Sequence, residues 1–316
     1  MNSAQGNSLS SAGSPGGAMS RPMWSVMIPT FNCAHFLAKT LGSVLAQYPG
    51  ADQMQITVVD DHSTHDDPES VVNSYGKGQV EFYRQPYNVG ATNNFNTCVK
   101  LSRGHFVHIL HGDDWLEPSF YETINDLIAQ HPEASLFSAR YYYVDESGVR
   151  TGISPRIQQY EHSVSNDSSF FTDGPIIHFV TSVFRRSFFE QKGWFNHDLI
   201  HAADWEMWVR IVREGGIVMT PDVLGHYRVF ANNDTGRLMK TAENLVDRER
   251  CITLLAARYP DFDVSRARLS TLRWCRFVRQ PEGVFKQRPM VVGFTGFRQP
   301  FSRAVQQSKP GPGSAS

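Results

Sequence analysis

The stretches ITVVDDHST (Ile56–Thr64) and HFVHILHGDDW (His105–Trp115) decide the fold. Each is an apolar run rich in Val, Ile or Phe that ends in an acidic pair, Asp60-Asp61 in the first and Asp113-Asp114 in the second. Runs of this kind read as strands buried on both faces. A carboxylate pair just past such a strand lies at the carboxyl edge of an open α/β sheet, where ligands bind. Four negative charges converging there repel one another unless a cation or a donor-rich ligand lies between them. The pattern points to a metal and a phosphorylated or sugar-bearing substrate.

Outward from these two runs, strands and helices alternate. Trp24–Ile28 reads as a first strand stopped by Pro29, Ala34–Gln47 as a helix, Gln55–Val59 as a second strand and Val80–Arg84 as a third. Ala91–Ser102 has helical spacing, His105–Leu110 is a fourth strand, and Pro118–Gln130 is a helix with proline in its first turn. The alternation predicts an α/β fold with a mainly parallel central sheet flanked by helices. Beyond residue 134 the pattern loosens into Ala134–Tyr143, a polar stretch near 145–173 and Ile176–Phe184, then a helix over Ala202–Arg213 with Trp205, Trp208, Val209 and Val212 turned inward. Residues 239–278 look helical again, with Leu245, Ile252, Leu254, Leu255 and Leu272 as the expected buried positions. The implied organisation is a disordered N-terminal tail over 1–21, one α/β domain over 22–238, a helical C-terminal extension over 239–285 and a partly disordered tail over 286–316.

Composition narrows the function. A chain of 316 residues with 41% hydrophobic and 19% charged residues has ample material for a core. The formal net charge of −1 offers no electrostatic case for binding nucleic acid or an acidic membrane. Cys33, Cys98, Cys251 and Cys275 lack CxxC spacing, so reduced thiols in a cytoplasmic protein are expected. The polar start MNSAQGNSLSSAGSPGGAMS lacks the apolar core of a secretion signal, and no run is long enough to span a membrane. The segment VFKQRPMVVGFTGFRQPF near the C-terminus mixes apolar and basic residues. It suits either peripheral contact with the inner face of a membrane or packing on the domain.

In order along the chain, SVMIPTFN (Ser25–Asn32), VVDDHST (Val58–Thr64), YNVGATNNFNTCVKLSRGHFVHILHGDDWLEP (Tyr87–Pro118), RRSFFEQKGWF (Arg185–Phe195) and AADWEMWVR (Ala202–Arg210) resemble the family 2 inverting glycosyltransferases with the GT-A fold. The resemblance spans about residues 24 to 230. It implies a nucleotide-diphosphate sugar donor, a UDP-sugar being the family's commonest, and an acceptor hydroxyl on a saccharide or lipid-linked glycan. It also implies a divalent cation, Mn²⁺ or Mg²⁺, that holds the diphosphate.

The resemblance carries roles to particular residues. Asp113 is the metal ligand, with Asp114 assisting it or holding the ribose. Asp60 and Asp61 face the base and ribose, where carboxylates accept hydrogen bonds from imide N–H and hydroxyl groups. Pro29, Thr30 and Asn32 shape the first loop against the base, Asn88 and Gly90 form the NxG loop, and Asn96 faces the diphosphate side. Asp204 is the general base, in the first turn of a helix whose dipole favours the ionised carboxylate. Trp194 and Trp205 are the aromatic candidates for acceptor contact. Glu206 and Arg210, spaced i,i+4, are expected to form a surface pair. Arg228 and Arg185-Arg186 are in reach of a phosphate, although solvated charges are the usual fate of such runs.

Each residue also has a plainer reading. Asp113-Asp114 can cap a helix, Gly90 can be a helix-start glycine, Trp194 can be core filling, and Asp204 can be a helix N-terminal charge. Several positions depart from the family's common pattern: His111 stands where Asp is usual, His62 where Gly is, His65 where Asp is, and Phe230 where His is. Imidazole at 111 can bind Mn²⁺ or contact a phosphate, but it removes one negative charge. Two other classes remain in view. A sugar nucleotidyltransferase usually carries a Gly-rich basic loop after its first strand, where this chain has PTFNCAH. A nucleotide-sugar-binding protein without catalysis would not need Asp113, Asp114 and Asp204 intact.

Overall fold

A computed structural model describes residues 21–230 and 243–278. Its sheet is built from β1 (Trp24–Thr30), β2 (Met54–Asp60), β3 (Glu81–Arg84), β4 (Phe106–Ile109), β5 (Trp115–Leu116), β6 (Leu136–Val144), β7 (Arg150–Ile153), β8 (Ser182–Arg185) and β9 (Ile217–Arg228). The helices are α1 (Ala34–Leu45), α2 (Pro68–Tyr75), α3 (Ala91–Leu101), α4 (Phe120–Gln130), α5 (Arg186–Lys192), α6 (Ala203–Gly215), α7 (Glu243–Arg258) and α8 (Val264–Val278). The expected tails and the apolar-basic C-terminal segment lie outside the described residues, apart from Arg21.

Strand order is β3-β2-β1-β4-β8-β6-β9-β5, with β7 on the side of β6. The half that carries the acidic pairs is parallel throughout, β3 to β2 to β1 to β4. Beyond β4 the sheet is mixed, because β8 runs antiparallel to both neighbours while β6 and β9 run parallel. Hydrophobic pattern marks a buried strand and leaves its direction open. All seven residues of β1 and of β2 are buried, as runs covered on both faces should be. Alternate side chains serve opposite cores. Met27, Val59 and Ile109 pack towards α3, α5, α6 and α7, whereas Val26, Ile28 and Val58 pack towards α1 and α4.

Proline did not stop β1. The Pro29 carbonyl accepts from Gly112 N–H at 3.1 Å. In a strand the N–H and C=O of one residue face the same neighbour, and on that side β4 has already ended at Ile109. The missing N–H therefore costs no ladder bond. Pro221 is accommodated differently, in the irregularity where β6 jumps from pairing Met219 to pairing Val223. The helix α2 was not anticipated, although Asp67 accepts from Ser70 N and Pro68 follows it, the usual signs of a helix start.

Trp205, Trp208, Val209 and Val212 of α6 are fully buried. Glu206 and Arg210 are not the surface pair that their spacing suggested. They meet at 2.9 Å with side chains only 9% and 4% exposed. On α7 the buried face comprises Asn244, Asp247, Arg248, Cys251, Ile252 and Leu255, while Leu254 and Leu272 of the expected core are exposed. The spacing is helical, but the stripe begins with polar residues, so apolar periodicity misplaced it. Removing one member of a buried ion pair strands the other charge. Glu206→Ala is expected to lower the unfolding free energy by about 3 kcal/mol in urea titration; a loss under ~1 kcal/mol, the size of a surface pair, would show the pair to be dispensable.

Candidate active site

The loops after β1, β2, β3 and β4 gather at the carboxyl edge of the parallel half-sheet. Asn32 adopts a left-handed backbone at φ 51°. Its side-chain oxygen accepts from Thr64 N at 2.9 Å and His65 N at 3.0 Å, while its own N–H donates to Ser63 Oγ. Thr30 receives Asp61 N–H on its carbonyl and pairs its hydroxyl with Cys33 Sγ at 2.9 Å. The first loop is thus stitched to the second before any ligand arrives.

The two carboxylates that end β2 already have partners. Asp60 is wholly buried, takes Arg84 Nε at 2.7 Å and accepts from both the N–H and the hydroxyl of Ser63. Asp61 accepts from Val89 N at 2.7 Å and Gly90 N at 3.0 Å, and its carbonyl receives the Asn88 side chain. These contacts make both carboxylates builders of the loops at the sheet edge. Gly90 combines its two readings. It is the residue before α3, and its φ of 85° is a conformation that side-chain-bearing residues rarely adopt.

The second acidic pair is arranged differently. Donor atoms of His111, Asp113 and Asp114 all lie within 4.8 Å of one another, a group able to hold a metal ion. Asp114 is buried and accepts from Arg228 N–H at 2.8 Å, and burial together with the Asp113 charge holds its carboxyl well above the usual carboxylate range. Thr40 Oγ1 pins the carbonyls of Gly112 and Asp114. His111 stacks on Phe95 of α3 at 5.3 Å, and burial pushes its pKa down to about 4. The imidazole is therefore neutral at neutral pH, as a metal ligand must be. Its buried Nε2 has no hydrogen-bond partner among the described residues. Two carboxylates and an imidazole with an orphaned buried nitrogen fit a divalent cation that accepts mixed O and N ligands.

In the segment before α6, Gly193 ends α5 at φ 89°. Arg210 donates to the carbonyls of Lys192, Gly193 and Trp194, and Trp194 is 42% exposed. Asn96 is engaged by the main chain of Phe195. Its amide nitrogen donates to Phe195 O and its oxygen accepts from Phe195 N, both at 3.0 Å. Trp205 cannot contact an acceptor, since it is fully buried with Nε1 donating to Phe171 O. Asp204 is partly buried in the first turn of α6, and burial raises its pKa to about 6 against the opposing pull of Arg248. Desolvation outweighs the helix dipole here.

Arg228, Arg185 and Arg186 all engage backbone carbonyls. Arg228 donates to the carbonyls of Asp113, Asp145 and Glu146 and lies over Phe36, where Phe230 also packs. Arg185 holds the carbonyls of Pro132 and Ala134, and Arg186 those of Val99 and Ser102. Neither the phosphate contact nor the solvated fate suggested by sequence describes these two. Thr92, which sequence reasoning passed over, donates to Leu199 O at 2.8 Å and joins α3 to the turn before α6. Its place in the first turn of α3, next to the NxG loop, was the one available signal.

The profile of Glycosyl transferase family 2 matches residues 25–193, more than half of the 316-residue chain. The chain belongs to glycosyl transferase family 2. It is similar to an uncharacterized protein of Mycobacterium tuberculosis, at 27% identity over 246 residues that cover 74% of this chain and 76% of that one. It is also similar to the Escherichia coli UDP-Glc:alpha-D-GlcNAc-diphosphoundecaprenol beta-1,3-glucosyltransferase WfaP, at 23% identity over 217 residues, 68% of this chain and 81% of WfaP. Among solved structures, S. aureus TarS 1-349 in complex with UDP-GlcNAc shares the fold with a TM-score of 0.61 at 18% identity, over 81% of this chain and 72% of that one. The protein is a transferase enzyme with the GT-A fold.

One departure from the family pattern gains a physical reason. His62, where the family commonly has Gly, sits at φ 62°, in the left-handed region that glycine occupies without cost. Its Nδ1 lies 3.1 Å from the Gln85 carbonyl, a contact glycine could not make. Asp61→Ala removes the acceptor of two main-chain N–H groups. It is expected to cost about 2–4 kcal/mol of stability, to speed amide exchange at Val89 and Gly90, and to weaken metal-free UDP binding. Unchanged exchange at both amides would show that the loop is held by other means.

Proposed function

We propose that this glycosyltransferase moves a sugar from a UDP-sugar to a hydroxyl of a saccharide or lipid-linked acceptor, inverting the anomeric centre with Asp204 as general base. The observation that carries the reading is the double duty of α3. Its Phe95 stacks on His111 of the acidic cluster, while its Thr92 and Asn96 hold Leu199 and Phe195 of the segment leading into Asp204. One rigid helix thereby sets the base relative to the cluster that would hold the donor.

The donor reading draws support from the UDP-GlcNAc bound by TarS, and the acceptor reading from the diphosphoundecaprenol-linked sugar in the name of WfaP. Uracil and ribose would lie along the loops at 30–32, 60–64 and 88–90, whose N–H and C=O groups are preset by Asn32, Asp60 and Asp61. Asp113, Asp114 and His111 are the residues that would hold a divalent cation, with Mn²⁺ favoured over Mg²⁺ because one ligand is imidazole. When bound, such a cation acts as a Lewis acid that neutralises charge on the leaving diphosphate.

The chain's own groups account for the rest. The Asp204 carboxylate takes the proton of the acceptor hydroxyl as its oxygen bonds to the anomeric carbon. The bond from that carbon to the diphosphate breaks on the opposite face, and the configuration inverts. Trp194, exposed beside this segment, offers an aromatic face to the acceptor sugar. Among the described residues no helix is long and apolar enough to cross a membrane. A cytoplasmic enzyme meeting a lipid-linked acceptor at the membrane surface fits this reading.

Asp113→Ala, with the fold intact by circular dichroism, is expected to abolish Mn²⁺-dependent UDP binding in calorimetry. Metal-dependent affinity equal to wild type would sink the assignment of Asp113.

Asp204→Asn should bind UDP and Mn²⁺ as wild type does and lose about 10²–10⁴-fold in transfer rate. In wild type the base must be ionised, so turnover should rise with pH through about 6 and level off above it. The product anomer, read by NMR coupling constants, should be opposite to the donor's; retention would falsify the single displacement.

A further inference from the structure

Helix α7 lies outside the segment matched by the family profile, yet it reaches the candidate base. The residue before α6 is Ala202, whose side chain has nothing with which to cap a helix. The turn that leads into α6 is instead held from a distance. Asp247 Oδ1 accepts from Ile200 N at 3.1 Å, and Oδ2 accepts from His201 N and Ala202 N, both at 2.7 Å. This carboxylate is 4% exposed, and it binds three successive N–H groups of the turn two residues before Asp204. The next residue, Arg248, lies over the Trp205 ring at 4.5 Å and donates to Asp173 O and Thr271 Oγ1. Two neighbours on α7 therefore grip the chain on either side of Asp204. Arg250 completes the arrangement, donating to Asp198 O at 2.7 Å with the same guanidinium nitrogen 3.9 Å from Asp247.

Burying a carboxylate from another helix against this turn carries a desolvation cost, offset here by three charge-assisted hydrogen bonds. Resting on the reading of Asp204 as the base, we propose that Asp247 is a positioning residue for transfer, holding the 200–202 turn so that the Asp204 carboxyl stands where the acceptor hydroxyl is deprotonated. The charged groups acting on that carboxyl are Asp247 and Arg248, both from α7, with the Cys251 thiol of the same helix also near it. Asp247 favours the protonated form of Asp204 and Arg248 the ionised form.

Full-length Asp247→Asn and Asp247→Ala enzymes provide the test, with Asp204→Asn measured alongside. The asparagine variant keeps an oxygen for two of the three N–H groups and removes the charge, so it should fold where alanine fails to. Three measurements are compared: UDP release from UDP-glucose and UDP-GlcNAc across pH, UDP affinity with Mn²⁺, and amide exchange at residues 200–202. Asp247→Asn should lower kcat at least tenfold with UDP affinity within twofold of wild type. Its acid limb should move to lower pH, because a negative neighbour of Asp204 has been removed. Exchange at residues 200–202 should quicken in both variants. Unchanged kcat and acid limb in Asp247→Asn, with exchange quickened, would overturn the proposal by reducing Asp247 to a structural anchor of the turn. Unchanged exchange would overturn it by showing that Asp247 does not hold the turn. An Asp204→Asn enzyme at the wild-type rate would remove the base itself, a failure read apart from the Asp247 variants.

Discussion

A carboxylate buried at the end of a strand must find donors, and much of this structure follows from where Asp61 finds them. Left unpaired, such a charge would cost several kcal/mol or would neutralise itself. Asp61 draws in the N–H groups of Val89 and Gly90, which fixes the start of α3. From that start α3 presents Thr92, Phe95 and Asn96 within about one turn of one another, and each meets a different part of the site. The loops after β2 and β3 and the segment that carries Asp204 are joined by one helix hung on one carboxylate.

The same constraint recurs at Asp114, Asp204 and Asp247, with different outcomes. Asp247 is satisfied by three N–H groups and serves as an anchor. Asp204 receives Trp205 N–H and otherwise sits in protein surroundings, so its pKa climbs from 3.8 to about 6. A shift of that size corresponds to ~3 kcal/mol, whereas a helix dipole supplies about 0.3–1 kcal/mol in the other direction. Burial wins, and the result suits a base that works near neutral pH. Asp114 lies between these cases, bonded to Arg228 N–H yet crowded by Asp113, a tension that a cation would relieve.

Much of the site was legible in the residues. Asp60 ends β2, Asp113-Asp114 lie in the loop beyond β4, and Asp204 lies in the first turn of α6. Roles were harder to read than places. Asp60 ends β2 as expected, but the Arg84 that engages it comes from β3, a strand whose register with β2 no local pattern reveals. Trp205 lies one residue from Asp204 and is fully buried, because adjacent positions on a helix point about 100° apart. Asn96 has the amide chemistry of a ligand contact but spends it on Phe195, 99 residues away.

Local sequence by itself determined the elements and the positions of the chemistry. Apolar runs become strands because their side chains must leave water, and acidic residues just beyond them are carried to the sheet edge. Only the tertiary structure decided which carboxylates remain open to a ligand. That depends on which distant N–H groups and guanidinium groups arrive beside them. The polar stripe of α7 shows this most clearly. Asn244, Asp247 and Arg248 look like the solvent face of a helix until the turn at 200–202 and the ring of Trp205 are brought against them. Burial of a polar group is set by its partners, and those partners are set by the fold.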